Sequence, residues 1–229
     1  MDKDIAVVEK PAGIAVETGR ITSPDLVNML KNHLAAEGKV KDPYLGMIHR
    51  LDQPVRGILV FALNKKAAGG LSRQIRDGNF EKHYLAVVEG IVDKRERTEL
   101  EDYLIKDKDN TARIVNKEEK DAKRALLSYT VKDTDAEKGL TLLEIELMTG
   151  RFHQIRAQLS HMGHPIAGDH KYGAKDTDTP LPRGAIGLCA YSLAFDHPST
   201  GKRMEFELGP SYKPEDRYLH NSGIFYTIL

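Results

Sequence analysis

The sequence predicts an α+β fold, a mixed sheet with flanking helices, and three observations predict it. Apolar runs of strand length outnumber helical stretches along the 229 residues. The helical stretches interrupt the strands irregularly and do not alternate with them, which disfavours a βαβ ladder. No internal repeat and no low-complexity segment is present.

The elements follow in order. Ile5-Ala6-Val7-Val8 reads as a short strand ended by the turn signal Lys10-Pro11-Ala12-Gly13, and Ile14-Ala15-Val16 resumes it. Ser23-Pro24-Asp25 offers an N-cap, a first-turn proline and a first-turn acid. Leu26, Val27, Leu30 and Leu34 then recur at helical spacing, so residues 24–36 are expected to be helix. Gly57 to Leu63 is an uninterrupted apolar run, expected as a buried strand. Asn64 caps a second helix with Ala67, Ala68, Leu71 and Ile75 on one face, closed by Gly78. Arg73 and Arg76 fall off that face, free to meet solvent or phosphate, and Gly69-Gly70 reads as close packing. His83 to Val88 returns as strand. Residues 93–124 balance ten basic against ten acidic residues around short apolar patches, a pattern of solvated strands and hairpin loops. Leu126–Val131 and Leu140–Leu147 are strands joined by the polar turn 132–139. Phe152, Ile155, Leu159 and Met162 mark a helix over 151–162, stopped by Gly163. Residues 186–195 and 203–208 are late strands.

Composition narrows the function classes. The chain is 40% apolar and 30% charged, an ordinary globular balance. No apolar run approaches the ~20 residues needed to cross a bilayer, so no membrane association is expected. The charged start Met1-Asp2-Lys3-Asp4 leads into no signal-type apolar region. Cys189 is the only cysteine, which excludes an intrachain disulfide and fits a reducing cytoplasm. Net charge is zero, yet residues 47–90 carry seven Lys/Arg against four Asp/Glu and residues 148–175 four against one. Such local excess steers a phosphate backbone even on a neutral protein.

Polar residues stand where core is otherwise expected at three places: His49-Arg50-Leu51-Asp52, Glu81-Lys82-His83-Tyr84 and Thr149 to Arg156. The first sets a carboxylate beside a guanidinium at the mouth of the buried strand, costly to desolvate without partners. In the third, Phe152, Ile155 and Leu159 face inward, so His153, Arg156 and Ser160 are expected on the other face. A helix start offers free N–H groups to phosphate, and Arg151 in that turn reaches toward a carboxylate or an anion. His153, His161, His164 and His170 lack the two-on-one-turn spacing of zinc motifs, so no metal site is expected. No Gly-x-Ser-x-Gly elbow and no Gly-rich phosphate loop occurs, so no cofactor is expected. What remains is nucleophilic or general-base work by Asp52. A purely structural ion pair of Asp52 with Arg50 or Arg151 stands open beside it.

Taken together, these segments resemble the RluA family of RNA pseudouridine synthases. His49-Arg50-Leu51-Asp52 followed by Gly57-Ile58-Leu59-Val60-Phe61-Ala62 resembles the family's signature. Lys10-Pro11-Ala12-Gly13 is similar to its N-terminal motif, and Lys82 to Gly90 to its tyrosine strand. Thr149 to Arg156, with Gly163 to Asp169 and Tyr172-Gly173, is similar to its arginine motif. The motifs occur in family order between residues 10 and 173. The resemblance implies a mostly antiparallel sheet with a central catalytic cleft, and an isomerase that turns specific uridines of structured ribosomal or transfer RNA into pseudouridine. It implies Asp52 as the catalytic aspartate, Tyr84 as the ring packed on the target base, Arg151 as the cation paired with the aspartate, and Arg50 as the residue that helps displace the base. Lys82, His153 and Arg156 complete the expected RNA contacts.

The chain departs from the family pattern at Val55-Arg56, where two small hydroxyl residues usually precede the glycine. About ten residues precede Lys10, so a single catalytic domain over 1–229 is expected, without a separate N-terminal RNA-binding domain. It is expected as a monomer with no obligate protein partner. The rival reading is an inactive RNA-binding or ribosome-assembly protein on the same fold, and a metal-dependent hydrolase is more distant.

Overall fold

Residues Gly57–Ala62 are buried without interruption, as a strand covered on both faces requires. In the computed structural model, which describes residues 1–19, 24–38, 41–93, 96–175, 179–208 and 227–228, the elements run β1 (Ile5–Lys10), α1 (Leu26–Gly38), β2 (Gly46–Met47), β3 (Arg56–Ala62), α2 (Lys65–Asp77), β4 (Glu81–Glu89), β5 (Thr98–Lys106), β6 (Ala112–Val115), β7 (Lys123–Asp135), β8 (Leu140–Leu147), α3 (Gln154–His161), β9 (Leu188–Asp196), β10 (Arg203–Glu207) and β11 (Thr227–Ile228). The residues gather into two units. The first holds 1–81, 183–185 and 190–229; the second holds 82–182 and 186–189.

In the first unit the strand order is β11–β1–β3–β9, with β2 paired to β3 and β10 to β9. β1 runs antiparallel to β3, setting Glu9 opposite Ile58 and Lys10 opposite Gly57. Gly57 has φ 145° and a Cβ there would lie 2.3 Å from the carbonyl oxygen of Ala190, so only glycine fits. α2 forms where its caps dictate. The Asn64 side chain accepts from the N–H of Ala67 at 2.9 Å, and Gly78 ends the helix at φ 79°. Ala67 and Leu71 are buried, and Gln74 clamps the Asp196 backbone through both amide atoms at 2.7 Å. At α1 the capping side chain is Asp25, fully buried, which accepts from the N–H groups of Asn28 and Thr18 at 2.8 and 3.0 Å. The Ser23 cap expected from the sequence lies outside the described residues. The expected strand at 14–16 reduces to a single bridge from Ala15 to Asp25.

The second unit is an antiparallel array in the order β4–β8–β7–β5–β6. The charged segment 132–139 is not all turn. A bulge between Val131 and Asp133 lets β7 continue to Asp135, and Gly139 at φ 64° completes a tight hairpin. α3 packs on β5 and β6 around Leu104, Ala112, Ala125 and Ala157. Its residues are buried from Gln154 through Leu159. The expected amphipathic helix over 151–162 is therefore shorter and has no solvent face at its start, because two glutamines and an arginine find polar partners inside. β2 and β11 were not legible in the sequence, being two residues each.

Candidate active site

Asp52 sits in the first unit, half-buried, between buried Leu51 and the loop that leads into β3. Leu51 turns inward and Arg50 is left exposed. The loop is held from below. Lys10 has no exposed surface, and its Nζ donates to the carbonyls of Pro11, Ile14 and Gln53 at 2.9, 2.8 and 3.1 Å. Gln53 is tied a second and third time: its carbonyl accepts from Gly13 N–H at 2.8 Å and its side chain donates to the Gly13 carbonyl at 2.9 Å. The Lys10–Gly13 turn and the Asp52–Gln53 loop thus form one fixture. Burial pushes the Lys10 ammonium down to about 7, and the charge of Asp52 pulls the other way. Three carbonyl acceptors match the three N–H groups of its charged form.

The departure at Val55-Arg56 has its own fit. Val55 is buried. Arg56 pairs with Glu9 across β1 and β3, both side chains mostly covered. A cation is accommodated because an acid stands opposite it. His49 accepts from the N–H of Val60 at 3.3 Å and meets the Phe80 ring edge-on at 5.3 Å, anchoring the segment's start to β3.

In the second unit, the turn Thr149-Gly150-Arg151 is pinned to β7. Arg151 is exposed, and its Nε donates to the Arg124 carbonyl at 2.8 Å. Gln154 accepts from the Arg151 N–H at 3.0 Å and from the Thr149 hydroxyl at 2.8 Å, and it donates to the Leu126 carbonyl at 3.2 Å. Lys82 Nζ lies 3.5 Å from where a Cβ on Gly150 would be. Burial lowers its pKa, and among the described residues its side chain makes no hydrogen bond or ion pair. Tyr84 lies on the inward face of β4 with Ala86 and Val88, opposite Ile145.

Arg156 forms a bidentate pair with Asp169, Nε to Oδ2 at 2.6 Å and Nη2 to Oδ1 at 2.7 Å, with side-chain exposures of 6% and 1%. Its Nη1 donates to His153 Nε2 at 3.1 Å, and it stacks 4.9 Å over the Tyr172 ring. Since Nε2 accepts, the neutral ring carries its proton on Nδ1, which donates to Tyr172 Oη at 2.9 Å. That oxygen also accepts from Ala112 N–H at 2.7 Å. Burial first, then the Arg156 charge, pushes the His153 pKa down to about 3. His153 itself has φ 51°, an uncommon conformation for a non-glycine residue.

The model of RNA pseudouridylate synthases matches residues 4–161. An uncharacterized RNA pseudouridine synthase of Aquifex aeolicus is 38% identical over 220 residues, covering 90% of this chain and 67% of that protein. Ribosomal large subunit pseudouridine synthase C of Escherichia coli is 31% identical over 211 residues, covering 90% and 64%. This chain belongs to the RNA pseudouridylate synthase family. It spans about two thirds of the length of these curated relatives. The solved human RNA pseudouridylate synthase domain containing 4 shares the fold at TM-score 0.72 and 22% identity, covering 91% of this chain and 86% of that one. Human RNA pseudouridylate synthase domain containing 1 does so at 0.72 and 24%, covering 93% and 83%.

Family membership sets the RluA resemblance on firm ground and leaves the residue assignments to the geometry. Arg50 and Asp52 belong to the first unit; Lys82, Tyr84, Arg151, His153 and Arg156 belong to the second. Arg156 is corrected. It does not lie on an outer face, and its charge is committed to Asp169. His153 is corrected likewise, from the outer helix face to a half-buried ring between Arg156 and Tyr172. Lys10, Asp169 and Tyr172 hold the site segments in place, and residue-by-residue reading does not single them out. Their motifs were visible, but burial of a lysine or an arginine depends on partners that no local spacing reveals. Of the four histidines weighed as metal ligands, His164 Nδ1 lies 2.8 Å from the Glu89 carbonyl and His170 Nδ1 3.1 Å from that of Ala174. Asp2, Asp4 and His197 do cluster. There, His197 Nδ1 accepts from Ser199 and Thr200 N–H groups, so Nε2 keeps its proton and donates to Asp2 at 2.9 Å. That ring has no lone pair left for a cation.

Proposed function

We propose that the protein is an active RNA pseudouridine synthase that isomerises specific uridines with Asp52 as the catalytic carboxylate. One observation carries the reading: the Asp52 loop is fixed by a fully buried ammonium and a doubly tied glutamine, a costly fixture for a surface turn. The inactive RNA-binding alternative has no use for it.

The reaction breaks the C1′–N1 bond of uridine, turns the uracil, and joins C1′ to C5. The proton lost from C5 is balanced by one gained at N1, with no change of oxidation state. No cofactor is called for. Asp52 acts in its ionised form, either on the sugar C1′ or on a sugar proton. The target base leaves its stack, which costs a few kcal/mol in a duplex and less in a loop. Exposed Arg50 is suited to fill the vacated space, Tyr84 to face the base and Arg151 to contribute a cation toward the nucleotide. Lys82, a desolvated ammonium beside Gly150, is suited to a phosphate. His153 and Arg156 hold the arginine turn and do not touch RNA. Large-subunit ribosomal RNA is the proposed substrate, because relatives named for that subunit match across 90% of the chain. Among the described residues no helix is long and apolar enough to cross a membrane. The cytoplasm is the proposed compartment, which a single, buried cysteine fits, and a monomer is the proposed state.

The test is direct. Purified protein is incubated with unmodified transcripts of large-subunit ribosomal RNA and of transfer RNAs, and pseudouridine is mapped by carbodiimide adducts. New signals at one or a few ribosomal uridines are expected. Signals confined to transfer RNA would move the substrate, and none in either would refute the activity.

A further inference from the structure

Helix α2 carries two sequence choices that work against it as a helix. The first is Gly69, exposed in the helix interior. A Cβ added there would meet no atom within 4 Å, so no packing demands the glycine. Its neighbour Gly70 differs, since a Cβ there would come 3.0 Å from Pro198. The close packing expected of the Gly69-Gly70 pair is therefore real only at Gly70. An exposed glycine in a helix interior is less stable than alanine. The second choice is Lys65 and Lys66 in the first turn, at the positive end of the helix dipole, with no acid there to offset them.

Both choices fall on one spot. Residues three and four positions away on a helix are surface neighbours. For Gly69 these are Lys65, Lys66, Ser72 and Arg73, and all are exposed. Among the described residues the side chains of Lys65, Lys66 and Arg73 make no hydrogen bond or ion pair. The result is bare backbone ringed by three uncommitted cations and a hydroxyl. Local rules broken together, with no gain inside the fold, mark a place that serves something outside it.

We infer that this face of α2 docks the sugar–phosphate backbone of the substrate RNA. The inference rests on the RNA reading above and adds a contact surface to it. The missing Cβ lets the strand lie close against the helix, Lys65, Lys66 and Arg73 neutralise it, and Ser72 donates to a phosphate oxygen. α2 follows β3 directly within the unit that holds Arg50 and Asp52.

The test uses full-length protein, a fluorescent transcript of large-subunit ribosomal RNA, and titrations at several salt concentrations. Gly69→Ala is expected to raise Tm by about 2 to 4 °C and to weaken RNA binding by roughly threefold or more, since the methyl holds the strand off the cations around it. The triple variant Lys65→Ala/Lys66→Ala/Arg73→Ala is expected to lower the slope of log K against log salt by about two to three, with Tm unchanged or raised. Stabilisation coupled to weaker binding separates docking from a structural role. Unchanged affinity in Gly69→Ala together with an unchanged slope in the triple variant overturns the inference and leaves the face to another partner. Pseudouridine formation by the unaltered protein is scored separately. If that is absent while the slopes fall, the docking surface stands and the enzymatic reading fails.

Discussion

The ammonium of Lys10 donates to the carbonyl of Gln53, the residue after Asp52, at 3.1 Å, from a position with no exposed surface. Two further carbonyls, of Pro11 and Ile14, complete its shell. A lysine read from the sequence as part of a turn is the post on which the carboxylate's loop is hung.

Replacing it tests that relationship. Lys10→Met keeps the length of the side chain and leaves the carbonyls of Pro11 and Ile14 without their donor, while that of Gln53 keeps only the Gly13 N–H. A loss of about 3 kcal/mol is expected, each unsatisfied buried group costing roughly 1 to 3 kcal/mol before relaxation. Denaturant unfolding measures it, and pseudouridine formation should fall even at temperatures where the variant stays folded. A variant as stable and as active as the parent would remove Lys10 from the fixture.

Arg156 gives a prediction of the opposite kind from the one its motif invites. Arg156→Ala leaves Asp169 charged and buried, and loss of one partner of a buried pair costs about 3 to 5 kcal/mol. RNA binding measured on the folded fraction should keep its salt slope. A slope reduced by about one would return Arg156 to the RNA surface.

The legibility of the fold follows from where its information sits. β8 is legible to the residue as Leu140–Leu147, because its burial alternates along the strand. α2 is legible between its caps Asn64 and Gly78, because both caps are local side-chain and backbone effects. The site divides in the same way. Asp52 and Arg50 are conspicuous as charges at the mouth of an apolar run. Arg156 misled because helical spacing shows one face but not what covers the other, and its partner Asp169 lies thirteen residues on. The same holds for Lys10, which meets Gln53 forty-three residues away.

His153 sets a pH dependence. Its folded pKa of about 3 lies below the ordinary 6.5, so the folded state favours the neutral ring. The contribution is complete above about 6.5 and is lost as pH falls toward about 3, because the unfolded chain then binds a proton the folded chain refuses. The difference in unfolding free energy between the parent protein and His153→Gln should therefore shrink as pH drops through that window. A difference independent of pH would mean that the ring is not held neutral by its surroundings.

Lys82 separates binding from stability. Lys82→Met removes a desolvated ammonium that has no protein partner among the described residues. Stability should hold or rise. The salt slope of RNA binding should fall by about one, as for the loss of a single phosphate contact. Titrations at several salt concentrations decide this, and an unchanged slope would show that no phosphate sits there.

The role of Asp52 is read from the amount of pseudouridine formed by Asp52→Asn on bound ribosomal RNA in a single turnover. Asparagine keeps the size and leaves the backbone hydrogen bond from Val55 in place, but removes the charge. No product above the protein-free background is expected, with RNA affinity unchanged. Pseudouridine appearing at the parental rate would contradict that role.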